Sequence, residues 1–171
     1  EQPLAQPVAL PEDLEGFAPP RPVRANAHDV EEAARLLSQA RFPVIVADFA
    51  GRSPQVPARI ARLAELLGAA VLDAGGRFNI ANTHPLDLSG AEAEVLQQAD
   101  VVLALDVPDL LKVLGRVDRG TRRTQLLVPT GCRIIWVGLN ELSARGWCSD
   151  FYLPLPVALS VLASPAAFLG D

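Results

Sequence analysis

Two short runs, Val44-Ile45-Val46-Ala47 and Val101-Val102-Leu103-Ala104-Leu105, contain no polar side chain. A half-exposed strand alternates apolar and polar residues, because successive side chains point to opposite faces of the sheet. Four or five apolar residues without alternation therefore describe a strand covered on both faces. Such coverage is the mark of a parallel sheet whose crossovers are helices. Ala70-Val71-Leu72 repeats the pattern, as does Cys132 to Val137 with Ile134, Ile135 and Trp136 inside it, and Phe151 to Leu155 is a further candidate.

Between these runs, apolar residues recur at helical spacing. Val30, Ala33, Ala34 and Leu37 follow the capping-box pair Asp29 and Glu32, which predicts a helix from Asp29 that ends before Pro43. Ser53 is placed to cap a second helix carrying Val56, Ile60, Leu63, Ala64 and Leu67, with Gly68 as its stop. Ser89 and Glu92 form another capping pair, ahead of a helix to about Gln98. Pro108 suits the first turn of a short helix with Leu110, Leu111 and Leu114. Arg116 to Thr124 reads as a polar loop, and Val157 to Leu169 as a closing helix interrupted by Pro165. Strands alternating with helices imply right-handed crossovers. The predicted fold is α/β: a three-layer parallel sheet of five to six strands with helices on both faces, Rossmann-like and similar to nucleotide-binding domains. Ligands of such sheets bind outside the carboxyl ends of the strands, at the topological switch point.

Residues 1–27 contain Pro3, Pro7, Pro11, Pro19, Pro20 and Pro22, which remove amide donors and fix φ. This stretch reads as a Pro-rich inter-domain linker, with Leu10, Leu14 and Phe17 as apolar spots to lie along a neighbouring surface. Residues 28–171 read as one folded domain. The chain of 171 residues is 50% apolar, which excludes intrinsic disorder and allows a substantial core. A net charge of −5 argues against a nucleic-acid or anionic-membrane partner. Phe151 to Gly170 is uncharged for the length of a membrane span, but Pro154, Pro156 and Pro165 interrupt it and no basic cluster flanks it. A strand followed by a buried helix is the preferred reading there. Cys132 and Cys148 form no CxxC pattern and are read as free thiols in a reducing, cytoplasmic compartment. With no methionine and no signal peptide, the chain is expected to be an internal piece of a longer polypeptide.

Chemistry-bearing patterns are sparse. Gly51 stands alone after the first strand, Gly75-Gly76 lacks the later glycines of a dinucleotide fingerprint, and there is no P-loop triplet. The turn Gly51-Arg52-Ser53 joins a strand end, a cation and a helix start, which could hold a phosphate; a plain strand-to-helix turn is the simpler account. Asp48, Asp73 and Asp106 fall at predicted strand ends, where they could hold a metal or ribose hydroxyls, or merely cap the following turns. Gly51, Arg52, Ser53, Asp73, Gly75 and Asp106 are thus the candidate residues of a nucleotide crevice, with no catalytic or metal-ligating set. Neither His28 nor His84 has a second histidine at i+3 or i+4, and His84 is expected to serve as a hydrogen-bonding residue of an ordered loop. Arg116, Arg119, Arg122 and Arg123 form a basic cluster, read as a solvated loop or a contact with an acidic surface. Trp136 and Trp147 read as core anchors.

The order of segments resembles the central domain of thiamine-diphosphate-dependent enzymes of the acetolactate synthase and pyruvate oxidase type. Four stretches carry the likeness: Arg41 to Ala47, Leu63 to Val71, His84-Pro85-Leu86-Asp87-Leu88-Ser89-Gly90, and Ala99 to Leu105. The His-Pro-Leu passage is the most specific. Cys132 to Leu142 is similar to the family's next strand, with Gly138-Leu139-Asn140-Glu141 in place of an acidic-Pro ending, and Leu153-Pro154-Leu155-Pro156 looks like its last strand.

The resemblance implies a parent enzyme that makes or breaks a carbon–carbon bond beside the carbonyl of a 2-oxo acid. In it, thiamine diphosphate and magnesium lie between a pyrimidine-binding and a diphosphate-binding domain, which would be this chain's partners in a homo-oligomer. The family's activating glutamate and its Gly-Asp-Gly…Asn segment do not occur here, so the chain by itself is expected to be a non-catalytic scaffold. Some relatives bind FAD or ADP in the central domain. The short Gly90–Ala99 segment and the strand-end aspartates imply an empty or vestigial nucleotide site instead. Two other readings stand beside this one: a free-standing FAD-, NAD- or ADP-binding module of the sirtuin or electron-transfer-flavoprotein type, and a purely structural oligomerisation module.

Overall fold

In chain order the strands are β1 (Pro43–Ala47), β2 (Ala70–Asp73), β3 (Val101–Leu105), β4 (Gly115–Val117), β5 (Thr124–Leu126), β6 (Arg133–Gly138) and β7 (Leu159–Leu162). The helices are α1 (Ala27–Ser38), α2 (Val56–Leu67), α3 (Glu92–Leu96), α4 (Leu110–Leu114) and α5 (Pro165–Phe168). This computed structural model describes residues 15–18, 20–118, 120–121, 123–139 and 155–170. Trp147, Cys148 and residues 151–154 of the Phe151–Leu155 run lie outside the described residues.

Five strands pair in parallel in the order β2-β1-β3-β6-β7, while β4 and β5 form a separate antiparallel ribbon. β1 and β3 are buried at every position, as their unbroken apolar runs require. The register sets Val71, Ile45, Leu103, Ile135 and Leu159 in one row across the sheet. That row faces α1, α2 and α5 and forms one core with Leu36, Ile60 and Phe168. The adjacent row, Leu72, Val46, Ala104 and Trp136, faces the other way into a second core with Val95, Leu96, Leu114 and Leu127. The fold is therefore three-layered α/β.

The outer edge of β2 is covered by the His-Pro-Leu passage. Val71 N–H donates to the Leu86 carbonyl at 2.8 Å, and Leu88 N–H donates to the Val71 carbonyl at 2.9 Å. One rung of sheet satisfies an edge that would otherwise present free backbone groups. His84 holds the passage in shape: its Nδ1 accepts from Leu86 N–H at 3.2 Å and its Nε2 lies 3.3 Å from Glu65 Oε1. This is the structural role expected of it.

Several element boundaries differ from the sequence expectation, each for an identifiable reason. The cap of α1 is Asn26, whose Oδ1 accepts from His28 N–H at 3.0 Å, so Asp29 lies inside the first turn. Ser53 does not cap α2. A helix starting there would need a hydrogen bond from residue 57, and Pro57 has no N–H to give. The chain instead makes a 3-10 turn over Ala50–Arg52 and begins the helix after Gln55. Gly68 ends α2 in the left-handed conformation as expected (φ 63°). Ser89 is drawn away from capping, because its hydroxyl accepts from Asp73 N–H at 2.8 Å and donates to Asp87 at 2.6 Å. α3 is consequently five residues long and starts at Glu92. Asp109, not Pro108, begins α4, its Oδ1 accepting from Leu111 and Lys112 N–H.

Arg116 to Thr124 is no loop throughout. Its ends pair as β4 and β5, with Arg116 opposite Gln125, and Asp118 Oδ1 accepts from Thr121 N–H at the tip. Strands of three residues, Gly-Arg-Val and Thr-Gln-Leu, are too short for the apolar alternation that reveals longer ones. The expected closing helix divides in two: Leu159–Leu162 is the edge strand β7, and only Pro165–Phe168 is helical. Ser164 separates them, its hydroxyl accepting from Ala167 N–H ahead of Pro165. Among the described residues, no helix is long and apolar enough to cross a membrane.

Leu103 is fully buried between Ile45 and Ile135. Leu103→Ala is expected to cost about 3 kcal/mol of unfolding free energy, read from urea denaturation followed by circular dichroism.

Candidate functional site

The order β2-β1-β3 means that the chain leaves β1 in one direction across the sheet and returns past it to reach β3. The carboxyl ends of β1 and β3 therefore flank the switch point, where open α/β sheets bind ligands. Asp48 follows β1, Asp106 follows β3 and Asp73 ends β2 opposite Ala47. The structure thus brings the three sequence-predicted aspartates to one end of the sheet. Partial burial raises the pKa of Asp48, and the charges of Asp73 and Asp106 add to that effect. A hydrogen bond from Gly76 N–H and the charge of Lys112 act against it.

The organising residue is one that the sequence did not single out. Asn79 is fully buried. Its side-chain amide lies within hydrogen-bonding distance of the carbonyls of Ala47 (3.2 Å), Asp48 (2.8 Å) and Arg77 (2.8 Å) and of Asp73 Oδ1 (2.8 Å). Its Oδ1 accepts from Gly51 N–H at 2.9 Å, and its own N–H donates to Asp73 Oδ2 at 3.2 Å. One side chain thereby ties the turn after β1 to the loop after β2. Only an amide both donates and accepts in this way, which explains asparagine here rather than aspartate. The available signal was a single polar residue between Phe78 and Ile80, just past Gly75-Gly76.

Each expected crevice residue has a defined place. Gly51 N–H is taken by Asn79, and a Cβ on Gly51 would run into the Phe78 carbonyl, so glycine is required by the close approach of the two loops. The Arg52 guanidinium pairs with the buried Asp106 carboxylate. Asp106 itself adopts φ 52°, the one non-glycine residue with positive φ among those described. Its backbone remains zipped on both sides: its N–H donates to Val137 O at 2.8 Å, and Phe49 N–H donates to its carbonyl at 3.2 Å. Gly75 (φ 88°) donates its N–H to Asp73 Oδ1 at 2.8 Å, with open space beside it. Ser53 lies beyond the 3-10 turn, half-buried, its carbonyl accepting from Val56 N–H. The strand ends are thus cross-linked by the protein's own groups. Among the described residues, no three His, Cys, Asp or Glu side chains gather as metal ligands. The Cys132 thiol is free and half-buried, and burial pushes its pKa up to about 11, which makes it a poor nucleophile.

On the α1–α2 face lies a groove of about 340 Å³ with Ala33, Leu37, Leu63, Leu67 and Phe168 in its lining. Leu66, at its margin, is 80% exposed.

Comparison with known proteins gives likeness in structure only. No family model matches the chain, and no curated protein matches it in sequence. A protein from Mycobacterium smegmatis, assigned as a thiamin diphosphate-dependent enzyme, aligns over 89% of this chain with a TM-score of 0.66 and 18% identity. Benzoylformate decarboxylase from Polynucleobacter necessarius aligns over 95% with a TM-score of 0.64 and 17% identity. The chain has the fold of a domain found in thiamin diphosphate-dependent enzymes. It spans 28% and 29% of the lengths of those two proteins.

Removing the Asn79 side chain leaves buried backbone groups without partners. Asn79→Ala is expected to destabilise the chain by about 3 kcal/mol in chemical denaturation, well beyond a surface substitution. Asp48 has the opposite character. With its native pKa above the unfolded value, the native state holds the proton more tightly, so its charge lowers stability above that pKa and the loss disappears as pH falls through it. Asp48→Asn is expected to raise the melting temperature at neutral pH, with the gain fading in acid.

Proposed function

We propose that the chain is the non-catalytic central domain of a thiamin diphosphate-dependent enzyme that makes or breaks a carbon–carbon bond beside the carbonyl of a 2-oxo acid. Its work is to hold two flanking domains, one binding the pyrimidine and one the diphosphate of the cofactor, at a fixed separation. The parent is proposed to be a cytoplasmic homo-oligomer. Thiamin diphosphate, with magnesium, supplies the carbanion chemistry when bound between those domains. The observation that carries this reading is the Asn79 network, which locks the switch point by linking the loops after β1 and β2. A rigid end of the sheet suits a spacer. The apolar groove lined by Leu63, Leu67 and Phe168 offers surface for a neighbouring domain to cover.

The crevice residues do not fit a dinucleotide. A pyrophosphate needs free N–H donors and net positive charge. Here Gly51 N–H already donates to Asn79, Arg52 is paired with Asp106, and Asp48 and Asp73 add negative charge. The proposal therefore assigns neither FAD nor ADP to this domain.

Calorimetric titration of the purified chain with FAD, NAD, ADP and magnesium–thiamin diphosphate is expected to give no binding heat, whereas the chain extended by its native flanking sequence binds magnesium–thiamin diphosphate. Tight binding of a dinucleotide by the isolated chain would favour a nucleotide module instead. An extended chain that ignores thiamin diphosphate overturns the assignment.

A further inference from the structure

Charge is segregated along this chain. Residues 78–111 hold six carboxylates, Asp87, Glu92, Glu94, Asp100, Asp106 and Asp109, and no lysine or arginine. The following twelve residues, 112–123, hold Lys112, Arg116, Arg119, Arg122 and Arg123 against the single carboxylate Asp118. The second block is the β4–β5 ribbon and its approach. Asp118 is occupied with the tip, accepting from Thr121 N–H, which holds its pKa below the usual carboxylate range. Arg116 and Arg123 are exposed and have no ion-pair partner among the described residues.

The ribbon is poorly covered. All of β5 is exposed, and Leu126 keeps 43% of its surface in water. A two-stranded hairpin is marginal without a surface to pack on. Its base is held by Leu114 and Leu127, which belong to the same core as Val95 and Leu96 of α3. The basic ribbon and the acidic start of α3, with exposed Glu92 and Glu94, therefore belong to one layer on the same side of the sheet. Beside α3, Leu88 is 38% exposed. Each patch thus pairs an exposed leucine with a net charge, positive on the ribbon despite Asp118 and negative beside α3.

We infer that the β4–β5 ribbon docks on the acidic Asp87–Glu94 region of a second copy of this chain, in a two-fold dimer. A two-fold axis makes the contact twice, ribbon of each copy on α3 of the other, and it requires both patches on one side of the molecule. The acidic complement is present in every copy, because the chain without its ribbon is strongly negative. The leucines supply the apolar centre and the charges the rim. This refines the homo-oligomer proposed above and depends on no cofactor. Its failure would appear in self-association, whereas failure of the enzyme assignment would appear in cofactor binding by the extended chain.

The test is sedimentation of the whole chain at high micromolar concentration. At low salt a dimer is expected, dissociating at about 0.5 M salt, where the screening length falls to roughly 4 Å. The pair Arg116→Glu with Arg123→Glu is expected to weaken the dimer at least tenfold, as is Glu92→Lys with Glu94→Lys, and mixing the two variants is expected to restore association. Unchanged circular dichroism and melting confirm that both variants are folded. A monomeric wild type, a dimer indifferent to the arginine changes, or folded variants whose mixture stays monomeric each overturn the inference.

Discussion

A parallel sheet buried on both faces leaves backbone groups at the ends of its strands without sheet partners, in a place that water reaches poorly. Every such N–H and C=O must be met by something else. In this protein much of the demand at the switch point falls on Asn79, which serves the carbonyls of Ala47 and Asp48 and the N–H of Gly51. The paths of the loops after β1 and β2 depend on it, as does the place of Gly51 beneath the Phe78 carbonyl. At the usual ligand-binding end of an α/β sheet, the loops here are hydrogen-bonded to one another.

The same end shows how electrostatics follows from topology. Parallel pairing brings the strand-end aspartates together, since β1, β2 and β3 all point the same way. Arg52 offsets Asp106 directly. Asp48 is left partly desolvated among like charges, and its raised pKa records that cost. An anionic ligand would add to the repulsion. Such an arrangement favours ties between the protein's own loops over a bound phosphate, in line with the spacer role proposed above.

The edges of the sheet are handled by different means. On one side, the His84–Leu88 passage adds a single rung to β2 and is steadied by His84 and Glu65. The other edge is β7, whose alternating burial places Val161 inside and leaves Ser160 and Leu162 exposed. The β4–β5 ribbon pairs separately from the sheet, and its segment of the sequence carries four of the chain's fifteen lysines and arginines.

Residue order alone determined the layer architecture. Val44–Ala47 and Val101–Leu105 have no polar position, and only a strand covered on both faces tolerates that, because unpaired polar groups and wet apolar faces both carry a free-energy cost. The αL stop at Gly68 and the fixed turn of His84 were legible for the same reason: local stereochemistry and local hydrogen bonds decide them. Tertiary structure decided what depends on residues distant in sequence. The cap expected at Ser89 yielded to the distant backbone of Asp73, whereas those expected at Asp29 and Ser53 were displaced locally, by Asn26 and by the missing N–H of Pro57. β7 became a strand because β6 offered it an open edge, and Asn79 gained its place only when the loops after β1 and β2 met. Periodicity describes which face a residue prefers, but hydrogen-bond partners twenty or more residues away are chosen by the assembled sheet.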